Sequence, residues 1–471
     1  VKSSLLLDII VFLKYNALKF EKECMERLSF VDLEKNSYRN IWFLAWPVMI
    51  SQILITTLNI VDMFWIGKLG PSPVASIAIA GSIMWVIFAL TQIFYAGNLA
   101  MVARFAGRGE KERIKTVVSN SFIIAFTIAI FLSVSGFIFA PSIFKLFGAE
   151  EIVSKMGIGY IKIIFLALPF FFGAFVVFAT LTALGDTKTP TKITAVACLF
   201  NILLDPLLIF GIWNFPKLGV NGAAVATSSA HFLAFILGIS VLYKRRYIQG
   251  MVSKINWKVL GNILKIGIPA SLQGITRPLT GMIMFRIVAF YGTKAIAAFG
   301  IGGRTLGIMF IYLTGLMTST QTLVGQSLGV KRPEKAEDVV KKVLLIGFVI
   351  QIPIIILYFL FAPQIISIFN TDHDVIRIGT NYLRIITLSL ILIVFTTGFA
   401  GAQTGAGDTK PPMIASVAAN WFIKIPSAYI IANHLHLASK GVWIAIALSV
   451  LVESIIVALF YYRGGWKRKK L

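Results

Sequence analysis

Two aspartates, Asp62 and Asp205, stand inside runs of apolar residues long enough to cross a lipid bilayer. An acid in hydrocarbon is costly, so one kept there is expected to bind a cation or exchange a proton. Asp62 lies 21 residues after the start of the first apolar run at position 41, and Asp205 lies 15 after Pro190, near the start of the fifth. At about 1.5 Å per helical residue, both reach roughly 22–32 Å deep from the same side. Asn59 precedes Asp62 by three residues and Asn201 precedes Asp205 by four, spacings that put each pair on one helix face. Thr227 enters from the opposite side, seven residues after Val220, and arrives at a similar depth with Ser228 and Ser229 beside it. Carboxylate, amide and hydroxyl oxygens converging there can coordinate sodium or hold a proton. Two acids that close in low dielectric repel when both are ionised, so at least one is expected to have a raised pKa and to hold a proton near neutral pH. His231, four residues after Thr227, and Asn59 are candidates for proton relay or substrate contact. The bland alternative for His231 is an interhelical hydrogen bond.

These residues need membrane-spanning helices to position them, and the composition supplies the means. The chain of 471 residues is 57% hydrophobic and 14% charged, against about 25% charged in soluble domains. Twelve spans are expected, over 41–66, 74–104, 116–140, 157–184, 190–212, 220–243, 260–290, 295–328, 338–361, 375–406, 411–433 and 441–462. Each is long enough to cross a 30 Å core, which takes roughly 20 helical residues. The formal charge of +24 is not gathered in one solvated domain. Lys and Arg fill the gaps after the second, fourth, sixth and eighth spans and the tail Arg463–Lys470, while the alternate gaps hold mostly single lysines. That alternation reads as topology and argues against a nucleic-acid partner. It places both termini in the cytoplasm of a multi-pass cell-membrane protein. Residues 1–36, with one short apolar stretch, read as an interfacial or disordered extension, and 244–258 as a cytoplasmic linker.

Sliding the second half over the first by 222 residues puts Pro47 on Pro269, Gly107 on Gly329, Tyr160 on Tyr382 and Gly185-Asp186-Thr187-Lys188 on Gly407-Asp408-Thr409-Lys410. The chain is therefore read as two tandem six-helix units, 37–243 and 259–462, followed by the basic tail 463–471. An even number of spans per unit relates the halves by an axis along the membrane normal, with the pathway between them. Pro47 near the inner end of the first span frees a carbonyl and permits a bend, either as a passive kink or as a hinge. The doubled Gly-Asp-Thr-Lys loops read as tight helix–turn–helix connections, with glycine in the left-handed conformation and Asp or Thr as cap.

Across the repeat the acids vanish. Asp62 falls on Met284 and Asp205 on Ser427, while the second half carries Arg277, Arg286, Arg304 and Lys424 inside its spans. Glu453 shares a repeat position with His231. Arg277, Arg286, Lys424 and Glu453 are thus candidates for substrate contact or relay, set against snorkelling of long basic chains to the interface. Cys24 and Cys198 are too few and too separated for a thiolate metal site, and four scattered histidines give no zinc pattern. No catalytic role or cofactor is expected, and no metal other than sodium at the coupling site.

Trp46-Pro47, Asn59-Ile60-Val61-Asp62, Gly67-Lys68-Leu69-Gly70, Asn201-xxx-Asp205-Pro206, Gly222-Ala223-Ala224-Val225-Ala226-Thr227 and the doubled Gly-Asp-Thr-Lys loops together resemble the MATE family, the multidrug and toxic compound extrusion transporters. The resemblance covers about residues 37 to 462. It implies an all-α fold of two six-helix bundles that expels cationic or amphipathic compounds in exchange for protons or sodium. It also implies an ion site in the N-terminal lobe at Asp62, Asn201, Asp205 and Thr227, with Pro47 as the bending point. Other members carry acids on the seventh and tenth spans, where this chain has Arg277, Arg286 and Arg384 instead. A monomer working in contact with membrane lipid satisfies this reading. The nearest rival is a flippase for lipid-linked saccharides. An intramembrane enzyme is more remote, since no H-E-x-x-H, paired-Asp or Ser–His spacing is visible.

Overall fold

The computed structural model describes residues 32–33, 36–249, 255–433 and 437–471. The expected extension 1–36 lies almost wholly outside the described residues, as does the 250–254 part of the linker. The first half consists of α1 (Ser37–Gly67), α2 (Pro71–Arg108), α3 (Lys111–Leu146), α4 (Glu151–Ala183), α5 (Lys188–Phe210) and α6 (Val220–Lys244). The second half opens with α7 (Trp257–Ala289), α8 (Thr293–Gly307), α9 (Met309–Gly329), α10 (Pro333–Leu360) and the short α11 (Ala362–Ser367). It continues with α12 (His373–Ser389), α13 (Ile391–Gly405), α14 (Lys410–Val417), a π-helical segment Ala418–Lys424, α15 (Ile425–Asn433) and α16 (Ser439–Tyr462).

The fold is all-α with twelve spans in two six-helix bundles, and it corrects the expected spans in three places. The eighth and tenth spans are not single rods: α8 and α9 meet at 42°, and α12 and α13 at 44°. Neither break is at a proline. Around them the backbone tightens to three-residue hydrogen bonds, Ile311 N to Ile308 O at 3.2 Å and Ile393 N to Leu390 O at 3.1 Å. The eleventh span carries the π segment Ala418–Lys424 where its counterpart α5 is α-helical throughout. A π turn holds more residues than an α turn, so the constant-offset pairing of Asp205 with Ser427 slips along this span.

Lipid is the solvent that this surface requires. Ile60, Phe131, Ile138, Leu203, Val349 and Phe422 are all exposed on the outside of the helices. In water each would forgo about 1.5–3 kcal/mol of burial. At the doubled loops Gly185 and Gly407 adopt φ of +88° and +79°, as the turn reading expects. Asp186 rather than Thr187 does the capping, accepting from Thr189 N at 2.9 Å and pairing with Arg245 at 2.8 Å.

The two bundles meet at the end that bears the basic loops. Ile41 and Leu44 of α1 are buried in the core of the second half, and Ile263 and Ile266 of α7 in the core of the first. These are repeat-equivalent pairs, so each half lends the start of its first helix to the other. Gly315 lies against α1, where a Cβ would sit 2.7 Å from Ala45 O, and its repeat partner Ile93 abuts Gly267 in the same way. Gln326 donates to Ala183 O at 2.8 Å, and its repeat partner Arg104 donates to Ala406 O at 3.3 Å. Closure at this end is therefore close to two-fold symmetric, with the acceptor of Arg104 one residue past the repeat equivalent of Ala183.

Candidate functional site

Three helices of the first half bring the polar residues together. α1 packs on α5 and α5 on α6, and the small residues Gly222, Ala223 and Ala224 let α6 approach α5 closely enough that a Cβ at Gly222 would meet the Leu208 backbone. That spacing aligns Asp62, Asn201, Asp205 and Thr227 at one level of the bundle.

The carboxyl groups of Asp62 and Asp205 lie close enough to interact directly. Such contact requires a proton between them or a cation beside them, because two bare carboxylates repel strongly in low dielectric. Asp205 and Asn201 are fully buried, and Asp62 is half-buried. The amide of Asn201 satisfies both neighbours when its Nδ2 donates to Asp205 Oδ2 at 3.2 Å and its Oδ1 accepts from the Thr227 hydroxyl at 3.1 Å. Among the described residues, Asp62 Oδ1 and Ser228 Oγ are buried without a hydrogen-bond partner. A cluster of carboxylate, amide and hydroxyl oxygens with spare lone pairs is the donor set that a proton or a hard cation such as sodium needs.

Pro47 is tied to the same helix that carries Asp205. Thr191 Oγ1 on α5 lies 2.8 Å from Pro47 O and 2.9 Å from Thr187 O, and it accepts from Ser51 Oγ at 2.8 Å. The Pro47 carbonyl of α1 is thus tied by a hydrogen bond to α5.

The remaining expected residues separate into those near a cluster and those apart from it. His231 does not form the expected interhelical hydrogen bond. Its ring meets Phe171 edge-on at 4.6 Å, because α6 faces the aromatic row of α4 at this height. Asn59 is exposed rather than turned with Asp62 into the site, and Arg286 and Arg304 are exposed as well. Arg277 Nη2 pairs with Glu453 Oε1 at 3.0 Å, and Lys424 donates to Asn420 Oδ1. Arg384 lies over Phe359 at 5.5 Å and donates to Phe359 O at 3.3 Å.

Tyr160 of α4 was not singled out from sequence as a site residue, yet both acids lie close enough for their charges to act on its phenol. No spacing rule links it to Asp62 or Asp205. Its repeat partner Tyr382 only packs, 4.8 Å from the Trp443 ring.

The MatE family model matches residues 47–207 and again 269–430. The chain belongs to the MatE family. The two matches fall on the two repeat units, so the family unit is the repeat itself. The chain is 27% identical over 450 residues to a probable multidrug resistance protein YoeA of Bacillus subtilis, covering 93% of this chain and 97% of that protein. It is 28% identical over 433 residues to a probable multidrug resistance protein NorM of Thermotoga maritima, with 90% and 92% covered. A solved structure described as the outward-facing conformation of a multidrug resistance MATE family transporter of the MOP superfamily superposes with a TM-score of 0.86 at 23% identity, covering 93% of this chain and 98% of that one. As a MatE protein, the chain is a multi-pass membrane protein of a transporter family.

Proposed function

We propose that the protein is a secondary active exporter that moves small amphipathic or cationic molecules outward in exchange for protons or sodium, with Asp62, Asn201, Asp205 and Thr227 as the coupling site. The observation that carries this is the Asp62–Asp205 carboxyl contact, buried in a family of transporters and completed by Asn201 and Thr227.

In this reading the basic loops face the cytoplasm of the cell membrane, so the symmetric closure seals the inner side and the conformation is outward-facing. Residues 37–243 and 259–462 act as the two lobes and 244–258 as their tether. A proton or sodium ion entering from outside neutralises the acid pair. Uptake of that charge lets α1 and α5 approach, and the Thr191 contact transmits the change to the bend at Pro47. Loss of the ion to the inside resets the pair. The protein works as a monomer within membrane lipid, needs no cofactor and catalyses no covalent step.

The flippase reading draws on one observation, the cations Arg277 and Lys424 in the second half. The acid pair in the first half favours ion-coupled export over it. Reconstitution into liposomes with a cationic dye, ethidium, and separately with an anionic amphipathic dye tests the proposal under a pH gradient and a sodium gradient. Movement of at least one of the dyes driven by at least one gradient is expected. Movement that ignores both gradients, alongside flipping of a lipid-linked saccharide, overturns it.

A further inference from the structure

The first half explains its buried charges through ion coupling, but the second half holds a charged cluster that coupling does not use. Arg277 on α7, Lys424 at the end of the π segment and Glu453 on α16 converge from three spans. Arg277 Nη2 pairs with Glu453 Oε1 at 3.0 Å, and Lys424 is near enough for both charges to act on it. We infer that this cluster binds the oxyanion, a carboxylate or phosphate, of an amphipathic organic substrate. The inference rests on the exporter reading for the direction of transport and names the class of cargo.

Charge and exposure point the same way. Two cations face one anion, leaving an excess positive charge inside the span region. The anion is the buried partner: the Glu453 side chain is 8% exposed and that of Arg277 is 47% exposed. Glu453 therefore anchors the guanidinium from behind while its other face stays open. A guanidinium has five donors in a planar fork that matches an oxyanion, and the Glu453 contact uses one nitrogen. Lys424 has three donors and gives one to Asn420.

The fold itself does not require the Arg277 cation. At the repeat offset of 222, Arg277 corresponds to Ile55, and the first half builds the same bundle with an apolar residue there. Snorkelling to an interface does not describe the two cations, since Arg277 reaches a buried acid on another span and Lys424 bonds a buried asparagine one turn back. The π segment supplies a local reason for the placement of Lys424, because its wider turn re-aims the residue that ends it.

The test uses the full chain in nanodiscs of neutral lipid and three probes sharing one fluorophore: dansylglycine (anionic), dansylglycinamide (neutral) and dansylcadaverine (cationic). Dansylglycine is expected to bind roughly tenfold or more tightly than its amide, as a charge-assisted pair allows. Arg277→Gln alone strands Glu453 as a buried charge, so the working variants are the double Arg277→Gln/Glu453→Gln and the single Lys424→Met. Both should reduce the preference to within about twofold while the amide binds as before. Equal binding of all three probes by the unaltered protein, or a preference retained in the variants, overturns the inference. Dioctanoyl phosphatidic acid serves as competitor: weaker displacement than dansylglycine supports an organic cargo, and stronger displacement overturns it in favour of a lipid headgroup. Binding is read without any gradient, so a failure of gradient-driven transport sinks the exporter reading and leaves the measured preference standing.

Discussion

Gly107 and Gly329 occupy equivalent positions of the repeat, and each abuts the backbone of the opposite half. A Cβ on Gly107 would run into the carbonyl of Gln326, and one on Gly329 into the carbonyl of Arg104. Arg104 and Gln326 are themselves repeat partners, so the two contacts are one contact seen twice. Backbone laid on backbone leaves no slack for a side chain.

Gly107→Val should therefore wedge the closed end open. Overpacking of this kind costs about 1–3 kcal/mol, enough to shift a two-state equilibrium roughly 5- to 150-fold. The check is maleimide labelling, from the basic-loop side, of a cysteine placed at the buried Ser319 in a background lacking Cys24 and Cys198. Faster labelling is expected in the valine variant, and equal rates would mean that the contact does not gate that side.

Arg104 ties three segments together. Its guanidinium donates to Lys469 O at 3.0 Å and to Ala406 O at 3.3 Å, next to the Lys469–Asp408 pair at 2.7 Å. Arg104→Ala should release the segment Gly465–Leu471 at a cost of about 1.5–3 kcal/mol for charged hydrogen bonds. Trp466, buried to 1% exposure, reports the release. A red-shifted emission and faster tryptic cleavage at Lys467 are the predicted signs.

The first-half site was largely legible in the sequence, and the second-half cluster was not. Asp62, Asn201, Asp205 and Thr227 are each placed by counting residues from a span end, because helical rise converts position into depth and three helices at one depth can meet. Pairing of Arg277 with Glu453 spans 176 residues and joins two different helices. Nothing local in either segment specifies that pairing. The bends at Ile308 and Leu390 were equally hidden, since no proline marks them and hydropathy reports length rather than direction. The lateral neighbour Tyr160 needed the packing of α4 to be seen.

Asn201 is predicted to act as the bridge between Asp205 and Thr227. Asn201→Leu should lower gradient-driven efflux about tenfold or more, since it strips a buried acid of its donor. Thr227→Ser should be nearly silent and Thr227→Val should resemble Asn201→Leu. Matching rates for the serine and valine variants would remove the hydroxyl from the site.

A surface cluster at the end opposite the closure offers a pH test. Lys294 lies 3.1 Å from Asp372, and Asp372 caps α12 by accepting from Asp374 N at 2.7 Å and Val375 N at 3.2 Å. The Lys294 ammonium, followed by those two backbone N–H groups, holds the Asp372 carboxyl below its ordinary value of 3.8. A depressed carboxylate contributes stability that is full above its unfolded value and is lost as pH falls through the folded one. Asp372→Asn should thus lower Tm slightly at pH 7, with the difference from the unaltered protein closing as pH drops below 3.8. A difference that persists undiminished in acid would assign the effect to packing instead.

The most direct test of the coupling account is gradient-driven efflux by Asp205→Asn, measured beside substrate exchange without a gradient in the same liposomes. The account predicts that gradient-driven efflux is abolished while gradient-free exchange and substrate binding persist. Undiminished gradient-driven efflux in that variant would contradict it.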